Sequence, residues 1–198
     1  MANATKASIL TFAGRAWQTT FTGTTLDPAI NACLSDLNGS DLLVGNATDE
    51  LAVDDRYFSQ PANYKSMIAI TLWSGTVTYD SLIELPGGLG KWRSLKAASS
   101  ARGRPKYFVE WPNREGQGIL LYPRSDAIYN VTLDYWRTHP ESTIEYPAKF
   151  QHLLNLGSVY WEAALRRNTE YMNHWGPLYY AERQARENDT PPVCRSAV

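Results

Sequence analysis

The residues in this 198-residue chain whose types could do chemistry are few, and their spacing argues against each reaction in turn. Gly87-Gly88-Leu89-Gly90-Lys91 has the look of a glycine loop whose amides and following lysine cradle a phosphate. That motif needs glycine at 85 and serine or threonine at 92, where this chain has Leu85 and Trp92. A glycine-rich loop between strands is the expectation instead. His139, His152 and His174 fall in a loop and on two separate helical patterns, with no i, i+4 pair among them. A metal centre needs at least three converging ligands, so no metal site is expected and no cofactor is implied. Asp54, Asp55 and Glu110 are the carboxylates nearest to a pairing for acid–base work, but nothing in their spacing singles them out, and solvated carboxylates are the expectation. No catalytic residue is nominated, and the chain is expected not to be an enzyme.

Two cysteines, Cys33 and Cys194, stand far apart in sequence and read as reduced thiols made in a cytoplasm. Nineteen Lys and Arg against twenty Asp and Glu leave a net charge of −1, so capture of a nucleic acid backbone by a basic block is not expected, and contact with DNA should be weak or merely enclosing. The Asn-x-Ser/Thr matches at Asn3, Asn38, Asn46 and Asn130 carry no meaning without secretion, and the first residues show neither the charged nor the apolar region of a signal peptide. No apolar run is long enough to span a bilayer, so a soluble protein without membrane association is expected.

The elements that would position any site are clearest in the second half. From Tyr129 to Arg137 the alternation places Tyr129, Val131, Leu133 and Tyr135 on one face and Asn130, Thr132, Asp134 and Trp136 on the other, as a half-buried strand requires. Ile119–Tyr122 is a short apolar run stopped by Pro123, and the turn formers Pro123 to Asp126 suggest that the two runs form a hairpin. Pro147 suits a first helical position, after which Phe150, Leu153, Leu154, Gly157, Tyr160, Trp161, Ala164 and Leu165 recur at helical steps and predict one buried stripe. Further strands are expected at Met67–Trp73, Thr76–Tyr79, Ile83–Pro86, Trp92–Leu95 and Tyr107–Trp111.

Elsewhere the pattern is weaker. Asp27 and Pro28 read as a cap and first-turn proline of a short helix with Ile30, Cys33, Leu34 and Leu37 on one face, ended by Asn38-Gly39. Residues 38–66 read as a long irregular excursion. A last helix from Glu170 to Asn188, with Tyr171, Trp175, Leu178, Tyr179 and Glu182 on one side, should break at Gly176-Pro177. Beyond Asp189 the prolines preclude a helix.

Certain of these residues resemble a known family. Gly103-Arg104-Pro105-Lys106-Tyr107, Leu120 to Pro123, Tyr129 to Trp136, and Tyr146 to Phe150 followed by Leu154 to Trp161 are similar to the pattern of tailed-phage head-to-tail adaptor proteins, over roughly residues 80 to 187. The chain departs from that pattern at its start, where a polar stretch rich in Thr, Ala and Gly stands in place of an opening amphipathic helix. The resemblance implies an α+β protein: a helical bundle formed by N- and C-terminal helices, with an antiparallel β-sheet or sandwich inserted. One adaptor-like domain over 1–198 is expected, helical over about 1–60 and 145–188, with β insertion over about 65–138 and an extended tail over 189–198. It also implies a virion component: a ring of copies, commonly twelvefold in that family, docked between a portal protein and a tail or nozzle protein, with DNA passing through the lumen.

By the same resemblance one end of the chain should reach the portal, and the best candidates are Arg183, Arg186 and Glu187 with Pro191, Pro192, Val193 and Arg195 of the tail. Seven Trp and twelve Tyr are read first as core packing, with some of the rings expected at subunit boundaries, where Trp and Tyr anchor interfaces. Tyr57, Phe58, Trp111, Trp136 and Arg137 are the candidates for contacts with sister subunits or the tail. If Tyr135 points inward, Trp136 should point out. The alternative is a β-rich module binding carbohydrate through exposed rings, or another neck or tail component.

Overall fold

A computed structural model describes residues 2–98, 101–113, 116–140 and 143–189. The fold is α+β, and the single domain expected from length is organised as two compact units: Val44–Arg137, and the described residues of 2–43 together with those of 138–189.

The first unit is a bundle of four helices. Helix α1 (Lys6–Trp17) is the opening amphipathic helix that the polar composition concealed. Thr5 caps it by accepting from the Ser8 N–H, and Ile9 and Ala13 are buried with Phe12, Ala16 and Trp17 packed against the core. Helix α2 (Gly23–Leu37) starts more than a turn before Pro28. Thr22, not Asp27, is its cap, with the Thr22 N–H donating to Thr25 Oγ1 at 3.1 Å. Leu26 and Ala29 thereby join Ile30, Cys33, Leu34 and Leu37 on the buried face.

After Pro147 a single 3₁₀ turn (Ala148–Phe150) leads into α4 (Gln151–Leu165); Pro147 precedes that turn instead of occupying its first position. Helix α4 is the centre of the unit, touching α1, α2 and α5. Its burial therefore extends well around the cylinder, taking in Leu156, Ser158, Val159 and Glu162, while Leu165, expected in the stripe, is 54% exposed at the free end.

Helix α5 (Thr169–Asn188) runs without the break expected at Gly176-Pro177. Pro177 is exposed, so the carbonyl that its missing N–H leaves free, that of exposed Asn173, faces solvent and not another helix. Leu178 is also on the wet side, and Gly176 and Tyr179 are the buried positions.

The second unit pairs two four-stranded sheets. The first has the order β1-β8-β3-β4, with β1 Val44–Leu51, β3 Tyr64–Ser74, β4 Val77–Thr78 and β8 Tyr129–Arg137; the second has the order β2-β7-β6-β5, with β2 Tyr57–Ser59, β5 Ile83–Glu84, β6 Tyr107–Asn113 and β7 Gly116–Tyr122. All pairings are antiparallel except β5 with β6. Leu51, Phe58, Ile70, Leu72, Ile119, Leu121, Val131 and Leu133, drawn from both sheets, form one core.

Four expectations change here. The excursion over 38–66 is not irregular: it supplies β1, β2 and the start of β3, so the helical part ends at Leu43 and the β unit begins at Val44. The runs at 119–122 and 129–137 are not a hairpin but lie in different sheets. The connecting segment does not turn on itself because its backbone bonds are taken elsewhere, Ser125 exchanging hydrogen bonds with Asp54 and Asp55 and Arg124 bonding Ala101. The glycine run and Trp92–Leu95 together form a helix, α3 (Gly88–Ala98), because Leu89, Trp92 and Leu95 recur at helical spacing and pack on Val109 and Leu120 of the outer face of the second sheet. Lastly, Trp136 is 2% exposed: Tyr129, Val131, Leu133 and Tyr135 are buried as the alternation requires, but at the end of β8 both faces are covered.

Candidate functional site

Among the described residues no group of three or more His, Cys, Asp and Glu could hold a metal. Asp54 pairs with Arg102 at 2.7 Å, Asp55 accepts the N–H groups of Arg56 and Tyr57, and Glu110 accepts the Tyr64 hydroxyl at 2.8 Å. Burial and that carboxylate push the Tyr64 phenol well above its ordinary range. His139 is buried and stacked on Tyr146, its Nε2 accepting the Glu145 N–H at 2.7 Å, while His152 and His174 lie on α4 and α5. These carboxylates and the one buried imidazole have structural partners.

The densest polar site joins α2 to α5. Arg183 Nη1 donates to Asp36 Oδ2 at 2.9 Å, and Arg183 Nε donates to Glu187 Oε1 at 3.0 Å and to Ser40 Oγ at 2.9 Å. Ser40 also donates to Glu187, and Tyr179 donates to Asp36 Oδ2 at 2.6 Å. Burial works against the Arg183 charge, but Glu187 and Asp36 outweigh it and hold the guanidinium above its usual range. Burial, followed by the neighbouring Cys33 and the bond to Asp36, pushes the Tyr179 phenol far up. Cys33, fully buried, has its thiol raised from 9.0 to about 12, chiefly by desolvation.

Two of the candidate portal-binding residues, Arg183 and Glu187, are therefore members of this network, and Arg186 pairs one turn back with Glu182 at 2.7 Å. Pro191, Pro192, Val193 and Arg195 lie outside the described residues. The i, i+4 spacing of Arg183 and Glu187 is visible in the sequence; Asp36 and Ser40, more than 140 residues away, are not.

The second concentration is on the outer face of the β5–β6–β7 sheet. Trp92 and Trp111 meet edge to face at 5.3 Å, and Arg93 lies over Trp111 and Arg56 over Trp92 at 5.7 Å; away from that face, Arg104 lies at 4.5 Å over Tyr79, which packs against the core between the sheets. Burial and the nearby Arg124 lower the Arg56 pKa. Of the interface candidates, Tyr57 is 41% exposed with its ring over Gly118, Trp111 and Arg137 are half-buried, and Phe58 and Trp136 are buried, Phe58 inside the core of the β unit. The structure brings neither all five nor a majority of them to a common exposed face.

No described helix is long and apolar enough to cross a membrane. A search of the curated proteins gives no match. The family model described as SU10 adaptor protein matches residues 4–189, from the first turn before α1 to the end of α5, taking in both units. The chain thus belongs to the SU10 adaptor protein family, the phage head-to-tail adaptors.

Proposed function

We propose that copies of this chain close into a ring, of about twelve subunits, that joins a phage portal to the tail or nozzle protein and encloses the channel through which DNA passes without sequence-specific contact. Its role is assembly and not turnover. The observation that carries this reading is the family match, which runs through the helical and the β unit alike and so concerns the whole architecture and no isolated motif. The end of α5, with Arg183, Arg186 and Glu187, and the residues after it are the portal-facing part, and Tyr57, Trp111 and Arg137 belong to contacts with sister subunits or the tail.

The test is to mix the chain with its cognate portal and follow particle mass and electron-microscope class averages. A discrete added ring is expected, and deletion of residues 189–198 should leave the circular dichroism unchanged while abolishing attachment. A folded chain that adds no mass to the portal at any concentration refutes the ring, and attachment retained after the deletion refutes the role of that segment.

A further inference from the structure

Three segments of the β unit that are remote in sequence run side by side and bring Arg56, Arg102 and Arg124 together. Ser125 exchanges backbone hydrogen bonds with Asp54 and Asp55, and the Leu121 N–H donates to the Arg56 carbonyl at 2.8 Å. The Arg124 N–H in turn donates to the Ala101 carbonyl and its own carbonyl accepts from the Gly103 N–H, so that Arg124 and Arg102 form a parallel bridge. The three arginines therefore stand on adjoining stretches of backbone.

Two acids share the place, and both are committed. Asp54 pairs with Arg102 at 2.7 Å, and Asp55 Oδ1 accepts the Arg56 and Tyr57 N–H groups, closing a turn on its own backbone. Arg56 and Arg124 are left over. Among the described residues neither guanidinium meets a carboxylate: Arg56 lies half-buried over the Trp92 ring at 5.7 Å, and Arg124 Nε is buried with no hydrogen-bond partner. Burial, and after it the charge of Arg124, lowers the Arg56 pKa, so the two cations are within electrostatic range of one another. A buried donor left unmade and two like charges left uncompensated both cost stability, and one oxyanion set between them would relieve both.

We propose that Arg56 and Arg124 form a receptor for a carboxylate carried by an acidic segment of another protein chain, their two forks holding its oxygens while the Trp92 ring backs Arg56. The planar fork of arginine matches a carboxylate with two parallel hydrogen bonds, and stacking on an aromatic ring fixes its orientation beforehand. The surroundings suit a protein partner. Val53 and Tyr57, close to Arg56 in the chain, are well exposed, and Tyr, Trp and Arg are the residues that anchor protein contacts. A nucleic acid repeats its charge along the strand and needs a row of cations, whereas Asp54 and Asp55 beside this pair would repel the neighbouring phosphates. The site goes beyond the ring reading and does not depend on it, since both arginines belong to the single subunit.

The test is calorimetric titration of the full chain, at physiological ionic strength, with a short poly-glutamate peptide and separately with duplex DNA. The peptide should bind saturably. Arg56→Met and Arg124→Met keep the aliphatic stems and remove the forks, and each should weaken the peptide at least about tenfold. Arg124→Lys, which keeps the charge and loses the fork, should weaken it nearly as much. Lys106→Ala, which removes an exposed cation from the same unit, should change it less than about threefold. Arg124→Met should melt no lower than wild type, because an uncompensated charge is removed. A wild-type chain that does not bind the peptide refutes the site, as does an affinity that both Met variants leave unchanged. A lower melting temperature in Arg124→Met would mark that arginine as a structural cation and overturn its assignment. Duplex DNA bound more tightly than the peptide, and released by the same two substitutions, would assign the pair to nucleic acid and overturn the proposal. Each result leaves the portal-mixing experiment, and with it the ring, to stand or fall separately.

Discussion

Gly157 is where the helical unit should be most sensitive to one added methyl group. It sits buried in the middle of α4 where α2 and α5 both approach: a Cβ there would fall well inside contact distance of Cys33 Sγ and 2.8 Å from Cε2 of Tyr179. Neither neighbour has room to yield. Cys33 and Tyr179 have no exposed surface, and the Tyr179 ring is stacked on Tyr160 at 5.6 Å with its hydroxyl tied to Asp36. Helix propensity favours Gly157→Ala by about 1 kcal/mol, whereas overpacking a close-packed core costs ~1–3 kcal/mol or more. With two fixed neighbours the upper part of that range applies, and the net loss should be about 2 kcal/mol.

In a chain of this size that lowers the melting temperature by about 4–8 °C. Cys33→Ala removes the sulfur and leaves a small void, costing ~1 kcal/mol alone. The double variant trades the sulfur for the new methyl, so it should be little less stable than Cys33→Ala by itself, a favourable coupling of about 1–2 kcal/mol. Thermal unfolding followed by circular dichroism at the helix band measures all three. A Gly157→Ala chain that melts at or above the wild-type temperature, or strictly additive losses in the double variant, would refute the close approach of α2, α4 and α5.

Two other outcomes follow from the same region. Burial holds the Cys33 thiol neutral up to about pH 12 in the folded chain, against an ordinary pKa of 9.0. Its contribution is complete below pH 9 and is lost as pH rises toward 12, on the order of 4 kcal/mol over that window, and the raised Tyr179 phenol acts in the same direction. Denaturant titrations should show stability falling from pH 9 upward, and a flat profile to pH 11 would contradict it. Asp36→Ala strips one hydrogen bond each from the buried donor Tyr179 and the half-buried donor Arg183, and should cost about 2–3 kcal/mol by chemical denaturation; a loss under about 0.5 kcal/mol would mean that the network behaves as a solvated surface pair.

What the sequence makes legible is whatever its own periodicity decides. The inward face of β8 and most of the α4 stripe are read correctly because Val131, Leu133, Leu153 and Leu154 are large, apolar and regularly spaced. Helix α1 is obscured because one of its two buried residues is Ala13, and a small residue at a close helix contact leaves little hydrophobic signal. Strand β1 is obscured for a different reason. Residues Val44–Leu51 carry little apolar content, and they are a strand because the whole length of β8 pairs with them across some 80 residues of sequence. At α3 the glycines Gly87, just before it, and Gly88 and Gly90 in its first turn suggest a loop, and the helix is settled by Leu89, Trp92 and Leu95 finding Val109 and Leu120. Trp136 shows the limit of the alternation rule itself, which assumes one wet face.

The candidate contacts divide along the same line. Arg183 and Glu187 invite a reading as loose charges awaiting a partner, yet the fold spends them on Asp36 and Ser40, so the end of α5 is already fixed onto α2. A partner docking there meets an ordered surface and loses little side-chain entropy on binding, which favours affinity without adding contacts. The opposite holds on the β unit, where Asp49, Glu50, Lys91 and Lys106 are exposed without ion-pair partners among the described residues and their charges remain available outward.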